Sequence, residues 1–338
     1  MTTNTLRIAP NVMKDQFEKV LRAVGFRDDK ADALARTFME NSLDGVYSHG
    51  VNRFPEFIGE VKQGFVRIEG EPVCTTATGT VEQWDGNSGP GVLNAFRCAE
   101  RAKEIAREQG MGCVALANTN HWMRGGTYGW SIAKAGYVYI GWTNTIANMP
   151  AWGAIEPRLG NNPLVIAVPY RDEAIVLDMA MSQYSFGALR QKRMTNELLS
   201  VPGGYDSQGN LSLDPGAILE TRRVLPIGYW KGAGLSLLLD ILATVLSGGL
   251  SVAQVTAKGA EHRLSQVFIA LSLDHFGSKT TADKMIGEIL AHYHAAMPDG
   301  QHGPILYPGE RVLRVRRENQ TGIPVIASVW NEIIAMAQ

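Results

Sequence analysis

From residue 79 onward the hydrophobic period of the chain changes twice within forty positions, and that change constrains the fold more than any other feature. TVEQWDG reads as a strand, GVLNAFRCAERAKEIAREQG as a long amphipathic helix, and MGCVALANT as a buried strand ending in polar residues. A strand, helix, strand rhythm of this kind builds an α/β sheet with helices laid on it. It continues through GGTYGWSIAKAG (helix), YVYIGWTNT, NPLVIAVPY and EAIVLDMAM (strands), GALRQKRMTNELLS and KGAGLSLLLDILATVLSG (helices) and SQVFIALSLDHF (strand). The helix TADKMIGEILAHYHAAM precedes ILYPGERVLRVRRENQTGI and a terminal helical stretch. Ahead of the rhythm, Asn11 to Val24 and Asp28 to Leu43 are helical by period, the second placing Ala31, Leu34, Ala35, Phe38 and Ser42 on one face. Asp28 is placed to cap that helix and Gly45 to end it, and Pro55 opens a short helix, FPEFIGEVKQG. Residues 201 to 216, with PGGYDSQGNLSLDPG, form the most loop-like section and read as a lid or a surface excursion.

A chain of 338 residues, 45% hydrophobic, can bury a core shared by two or three packed lobes. Its 32 basic and 33 acidic residues balance to a charge of -1, which leaves no footprint for nucleic acid or an anionic membrane, so a bound anion must be small and met locally. MTTNTLRIAP has no basic stretch followed by an apolar core, and no run approaches the roughly 18 apolar residues of a membrane span; a cytoplasmic protein is expected. Cys74, Cys98 and Cys113 fit no C-x-x-C spacing and read as reduced, mostly buried thiols.

No G-x-G-x-x-G follows a strand and no G-x-x-x-x-G-K-[ST] is present, so a dinucleotide, if bound, is bound by another arrangement. The glycine clusters are GNSGPG at 86–91, GGTYG at 125–129 and GYWKGAG at 228–234. In the last, small residues in the first turn of a helix expose N–H groups to an anion beside Lys231, or they simply allow close packing; both readings stand. ANTNHW ends a strand in polar residues, which makes Asn120 and His121 either site walls at the mouth of a sheet or caps of the next helix. In SHGVNR, His49 and Arg53 are either a proton donor beside a carboxylate clamp or a structural loop histidine and a surface ion-pair arginine. HYH at 292–294 puts its two rings on different faces of a helix, and no metal site is expected.

GVYSHGVNRFPEF, NHWMRGGTYGW, WGAIEPRLGNNPL, VLDMAMSQYSFG, LPIGYWKGAGLSLLLD and YPGER occur in this order from about residue 10 to the terminal VW pair. Together they resemble the malate/L-lactate dehydrogenase family that lacks a classical Rossmann domain. The resemblance implies an α/β, non-Rossmann NAD(P)-binding fold with a helical N-terminal lobe. It divides the chain into a helical and substrate lobe carrying the SHG loop (1–115), a cofactor-binding α/β domain (116–310) and a C-terminal segment packing back on the first lobe (311–338). The implied activity is NAD(P)H-dependent reduction of a small 2-oxo acid by a homodimer. A keto-sugar acid is the first candidate substrate; malate, lactate, ureidoglycolate, sulfolactate or a cyclic imine are the alternatives, and a non-catalytic nucleotide-binding homologue is the alternative of a different class. Position by position, His49 matches the proton donor with Ser48 beside it, Arg53 the carboxylate arginine, and His121 the pocket lining. Ile175, Val176, Leu177, Asp178, Met179 and Ala180 match one nucleotide-contacting segment, Trp230 and Lys231 a second, and Gly309, Glu310 and Arg311 a third. Asp178, as an acceptor for a ribose hydroxyl that would repel a 2′-phosphate, favours NADH over NADPH.

Overall fold

The computed structural model describes residues 4–301 and 303–337. Among these, a seven-stranded sheet runs in the order Val73–Thr78, Val81–Asp85, Met111–Thr119, Leu264–Ser272, Tyr137–Thr143, Leu164–Tyr170, Glu173–Met179. Val81–Asp85 and Met111–Thr119 pair in parallel, joined by the helix Gly91–Gln109, and every other neighbouring pair is antiparallel. Both faces of the central strands are buried, which is why MGCVALANT is nearly continuous in apolar residues. Val114 and Leu116, with Phe268 and Ala270, face one core together with Ala95, Cys98 and Ala102 of the crossover helix. Cys113, Ala115 and Val267 face the other, against Leu239 and Ala243 of the helix Trp230–Ser247. Gly112 on the strand lets the crossover helix lie close to the sheet: a Cβ added there would meet the Ala102 carbonyl oxygen at 2.1 Å.

A third core belongs to the helices Pro10–Ala23, Asp28–Leu43 and Phe54–Lys62, where Phe17 stacks on Phe54 at 4.2 Å and Phe38 meets Phe54 edge-on at 5.1 Å. The far end of the chain completes it: Ile323–Ile326 pairs antiparallel with Thr5–Ile8, and Trp330 and Ile333 of the helix Ala327–Ala335 are buried in the same cluster.

Several local expectations are corrected. Asp28 does not cap its helix; Arg27 occupies the N-cap without a side-chain bond, while Asp28 and Asp29 lie in the first turn, where negative charge opposes the helix dipole, and Asp28 pairs with Arg22. Gly45 does follow the helix end, with φ of +79°. The strand Val73–Thr78 carries no buried residue and so shows no apolar alternation to read. The loop-like section around 201–216 contains a short hairpin, Gly204–Tyr205 with Leu211–Ser212, and runs into the helix Pro215–Thr221. The position 115/116 lies inside the strand Met111–Thr119, and the sheet also takes in elements from Val73 onward. Cys98 and Cys113 are buried, Cys74 exposed. The helix Trp230–Ser247 is the one helix among the described residues long and apolar enough to cross a bilayer by length and composition, although its Ala233, Ser236, Leu239 and Ala243 are buried in the protein.

Candidate active site

The SHG sequence forms a single 3₁₀ turn, Tyr47–His49, between the C-terminus of Asp28–Leu43 and the start of Phe54–Lys62. Two side chains of the preceding helix hold it: Asn41 Nδ2 donates to the His49 carbonyl at 2.9 Å, and the Val51 N–H donates to Ser42 Oγ at 2.8 Å. Gly50 is required by this closeness, since a Cβ there would stand 2.3 Å from Ser42 Oγ. The N-terminus of the helix Phe186–Met194 abuts the turn, with a Cβ at Gly187 reaching Ser48 Cβ at 2.8 Å.

Ser48 Oγ lies 3.0 Å from His49 Nδ1, which leaves Nε2 as the ring atom able to meet a reacting oxygen. The His49 ring stacks on His121, with centroids 5.7 Å apart and planes 17° apart. His121 Nδ1 accepts from the Met123 N–H at 2.9 Å, so its neutral form carries the proton on Nε2, 3.8 Å from Glu261 Oε1. Burial, and then the positive charges of Arg53 and Arg124, hold the His49 pKa down at about 4. His121 is pushed down by burial, Arg53 and His49. A resident imidazolium at His49, the form a proton donor needs, is therefore disfavoured before substrate arrives.

Arg53 is 20% exposed at its side chain and is no ordinary surface residue. Its Nη1 and Nη2 reach Glu56 at 2.6 Å and Glu60 at 3.0 Å, while Nε is buried without a partner. The arginine lines a cleft of about 330 Å³ with Glu56, Glu60, Phe65 and Glu261. Burial raises the Glu60 carboxyl to about 7, opposed by Arg53. Glu261 is pushed up for the same first reason, and its carboxylate accepts from the Ile146 N–H. Through Arg53 and Glu261 the cleft adjoins the histidine pair.

Asn120, by contrast, is not a site wall. Its buried amide donates to three carbonyls, those of Phe65, Ser88 and Gly89, and this fixes the strand end from which His121 projects.

Two of the three segments matched to nucleotide contacts meet at the edge strand of the sheet, and the third follows a segment paired just beyond its end. The Val176 N–H of the edge strand donates to the Pro308 carbonyl at 3.1 Å, beside Gly309, whose φ is +95° and where a Cβ would lie 3.1 Å from the Trp130 ring and 3.2 Å from the Val176 nitrogen. Beyond the strand, Ile227 N–H donates to the Met181 carbonyl at 2.9 Å, which brings in Tyr229, Trp230 and Lys231. Trp230 is 67% exposed, and the Lys231 ammonium stands 6.0 Å from its ring. Val176 itself is in the core, Glu310 accepts from the Tyr307 N–H, and Arg311 is exposed. Asp178 Oδ2 accepts from the Gly126 N–H at 2.8 Å at the start of the helix Gly125–Lys134, with Arg124 Nε at 4.0 Å. That helix start links the two halves of the site, because Thr127 Oγ1 donates to Asn41 Oδ1 at 2.7 Å and Asn41 holds His49.

Reading the sequence misses five residues here, Glu60, Glu261, Asp44, Arg124 and Arg316. Glu60 and Glu261 line the cleft, and Asp44 is buried between Arg124 and Arg316, accepting from Arg316 Nε and Nη2 at 2.6 and 2.9 Å and from Arg124 Nη1. Both guanidiniums lie over the Trp130 ring, at 5.5 and 4.9 Å. Only Arg124 carries a signal, as part of NHWMRGG.

Comparison with known proteins decides the family. A family model described as malate/L-lactate dehydrogenase matches residues 8–334. The chain belongs to the malate/L-lactate dehydrogenase family. It is 44% identical over 330 residues to the 2,3-diketo-L-gulonate reductase of Pasteurella multocida, covering 97% of this chain and 99% of that protein. Among solved structures, a malate dehydrogenase from Entamoeba histolytica superposes with a TM-score of 0.93 over 99% of this chain and 98% of the other, at 24% identity, and so shares the fold. A sulfolactate dehydrogenase from Methanocaldococcus jannaschii gives a TM-score of 0.89 at 25% identity over 98% and 96% of the two chains. As a member of this dehydrogenase family the protein is an oxidoreductase acting on CH–OH groups, with a nicotinamide cofactor and the family's α/β fold.

Proposed function

We propose that the protein reduces a 2-oxo acid, 2,3-diketo-L-gulonate to 3-dehydro-L-gulonate, with His49 as the proton donor. The observation that carries this is the stacked His49 and His121 pair, with Ser48 on His49 Nδ1, beside a cleft whose wall holds Arg53. Full-length similarity at 44% to a 2,3-diketo-L-gulonate reductase supports the substrate.

In this reading the substrate carboxylate settles on Arg53, in place of the glutamates that now pair with it, and presents the adjacent ketone to His49 Nε2. The bound anion also changes the acid. It offsets the guanidinium charges that, after burial, hold the His49 pKa down, and so makes it easier for the ring to carry the proton it gives to the ketone oxygen. Nδ1–H then donates to Ser48 Oγ, and Nε2–H points at the ketone oxygen. The nicotinamide, when bound, supplies the hydride to the ketone carbon; the protein's part is to hold the carboxylate, protonate the new alkoxide from Nε2, and keep the ring aligned against His121.

The residues that would hold the dinucleotide are the end of Glu173–Met179 with Ala180, Trp230 and Lys231, and Gly309 to Arg311. An exposed indole beside an ammonium fits the aromatic and anionic parts of a dinucleotide, and the left-handed Gly309, packed on Val176 and Trp130, sets the turn that carries Glu310 and Arg311. The negative charge of Asp178 favours NADH. A homodimer is supported by an unpartnered apolar stripe on Trp230–Ser247, namely Leu237, Leu238, Ile241, Leu242 and Val245. Two buried free thiols and dependence on reduced nicotinamide fit a cytoplasmic setting. The test is oxidation of NADH, and separately of NADPH, with 2,3-diketo-L-gulonate as acceptor. Turnover with NADH is expected; cofactor binding without oxidation by any 2-oxo acid would overturn the proposal.

A further inference from the structure

The charges of the cleft beside Arg53 are unequal. Arg53 is the one cation among the residues that line it, against three carboxyl groups, Glu56, Glu60 and Glu261. Glu56 is more than half exposed, but Glu60 and Glu261 are 18% and 23% exposed at their side chains, so solvent screens them poorly. Phe65 closes the wall between them, stacked on His262 at 4.8 Å.

A substrate carboxylate taken up on Arg53 occupies the guanidinium that Glu56 and Glu60 otherwise share. A second anionic group on the substrate would enter the remainder of the cleft with no free cation to meet it and beside two poorly hydrated carboxyl groups whose ionised forms repel it. Hydroxyl groups have the opposite fate, because each can donate to a glutamate oxygen, and a hydrogen bond to a charged acceptor is of the stronger kind. A carboxyl near its titration point can also donate, and Glu60 is such a group.

Resting on the reading above, we infer that Glu60 and Glu261 select the substrate: they admit a 2-oxo monocarboxylate with an uncharged, hydroxyl-bearing tail and turn away dicarboxylates and sulfonated acids. The same fold thereby serves one class of 2-oxo acid and not the substrates of malate or sulfolactate dehydrogenases.

The experiment is a kcat/KM panel on the full chain with NADH, using 2,3-diketo-L-gulonate, oxaloacetate and sulfopyruvate, for the wild type and for Glu60→Gln, Glu261→Gln and the double variant. The wild type is expected to favour the hydroxylated acid by about 10³-fold or more. In the double variant that ratio falls by about 10- to 100-fold, with an absolute gain on oxaloacetate, since a gain is something structural damage cannot produce. Wild-type turnover of oxaloacetate or sulfopyruvate equal to that of the hydroxylated acid overturns the inference and leaves the 2-oxo acid reductase reading standing. So does an equal loss on every acid in variants that retain the wild-type Tm. If the wild type reduces none of the acids, the reading itself fails and the inference with it. Where the double variant does not fold, the two single variants carry the same readout, and the wild-type panel alone can still overturn the inference.

Discussion

Burial and two guanidiniums keep the His49 ring neutral, and its proposed role as proton donor draws on the charge that a bound carboxylate would bring. His49→Ala is expected to lower kcat by about 10²- to 10⁴-fold while leaving nicotinamide binding in place, checked by steady-state rates and by NADH fluorescence titration. The pH behaviour of stability separates two site residues by sign. His49 has a folded pKa of about 4 against an ordinary 6.5, so it favours the native state above pH 6.5 and that contribution is lost as pH falls towards 4. Glu60 has a folded pKa of about 7 against 4.5, so its contribution is full below pH 4.5 and is lost as pH rises through 7. Urea unfolding between pH 5 and 8 is therefore expected to show Glu60→Gln relieving a loss of stability on the alkaline side, and His49→Gln relieving one on the acid side. His49 and Arg53 are legible in SHGVNR because no helical or strand period claims them. Glu60 is not, since on the amphipathic helix FPEFIGEVKQG it reads as part of the solvated face, and no local pattern reveals that Glu261 returns from two hundred residues away to the same cleft.

Among elements, the start of Gly125–Lys134 does the coupling, with Asp178 on its N–H groups, Asn41 on Thr127, and Arg124 bound to Asp44 at the end of the preceding lobe's helix. Asp44→Ala leaves Arg124 and part of Arg316 as uncompensated charge, and Arg124 is almost fully buried. A loss of about 3–5 kcal/mol is expected, measured by denaturant unfolding, with Asp44→Asn costing less because its amide oxygen still accepts. Element by element, the sequence is read best where burial is two-sided or glycine marks the ends: MGCVALANT matches Met111–Thr119, and the expected Asp28 to Leu43 helix matches in full. It is read worst where pairing alone makes the element, as in the wholly exposed Val73–Thr78 or the two-residue strands of the 204–212 hairpin. The Arg124, Asp44 and Arg316 cluster escapes any pattern because its members lie 80 and 272 positions apart.

At the scale of the molecule, the layered α/β class follows from local periodicity, whereas the closure of the chain on itself does not: four residues at each end pair across more than three hundred positions, too short a match to stand out. The apolar stripe on Trp230–Ser247 is likewise invisible as a stripe, because the whole segment is apolar and only the structure divides its inner from its outer face. Leu238→Glu with Ile241→Glu is expected to convert a homodimer to monomer without loss of the fold, checked by analytical ultracentrifugation and circular dichroism; an unchanged sedimentation coefficient would count against that face as the contact. The Trp130 ring, which carries two guanidiniums and abuts Gly309, has an optical consequence. An indole so placed emits in a strong local field, and a dinucleotide bound at Gly309 as proposed would perturb that field, so the protein holds an intrinsic fluorophore that reports, without any label, whether the coenzyme settles there.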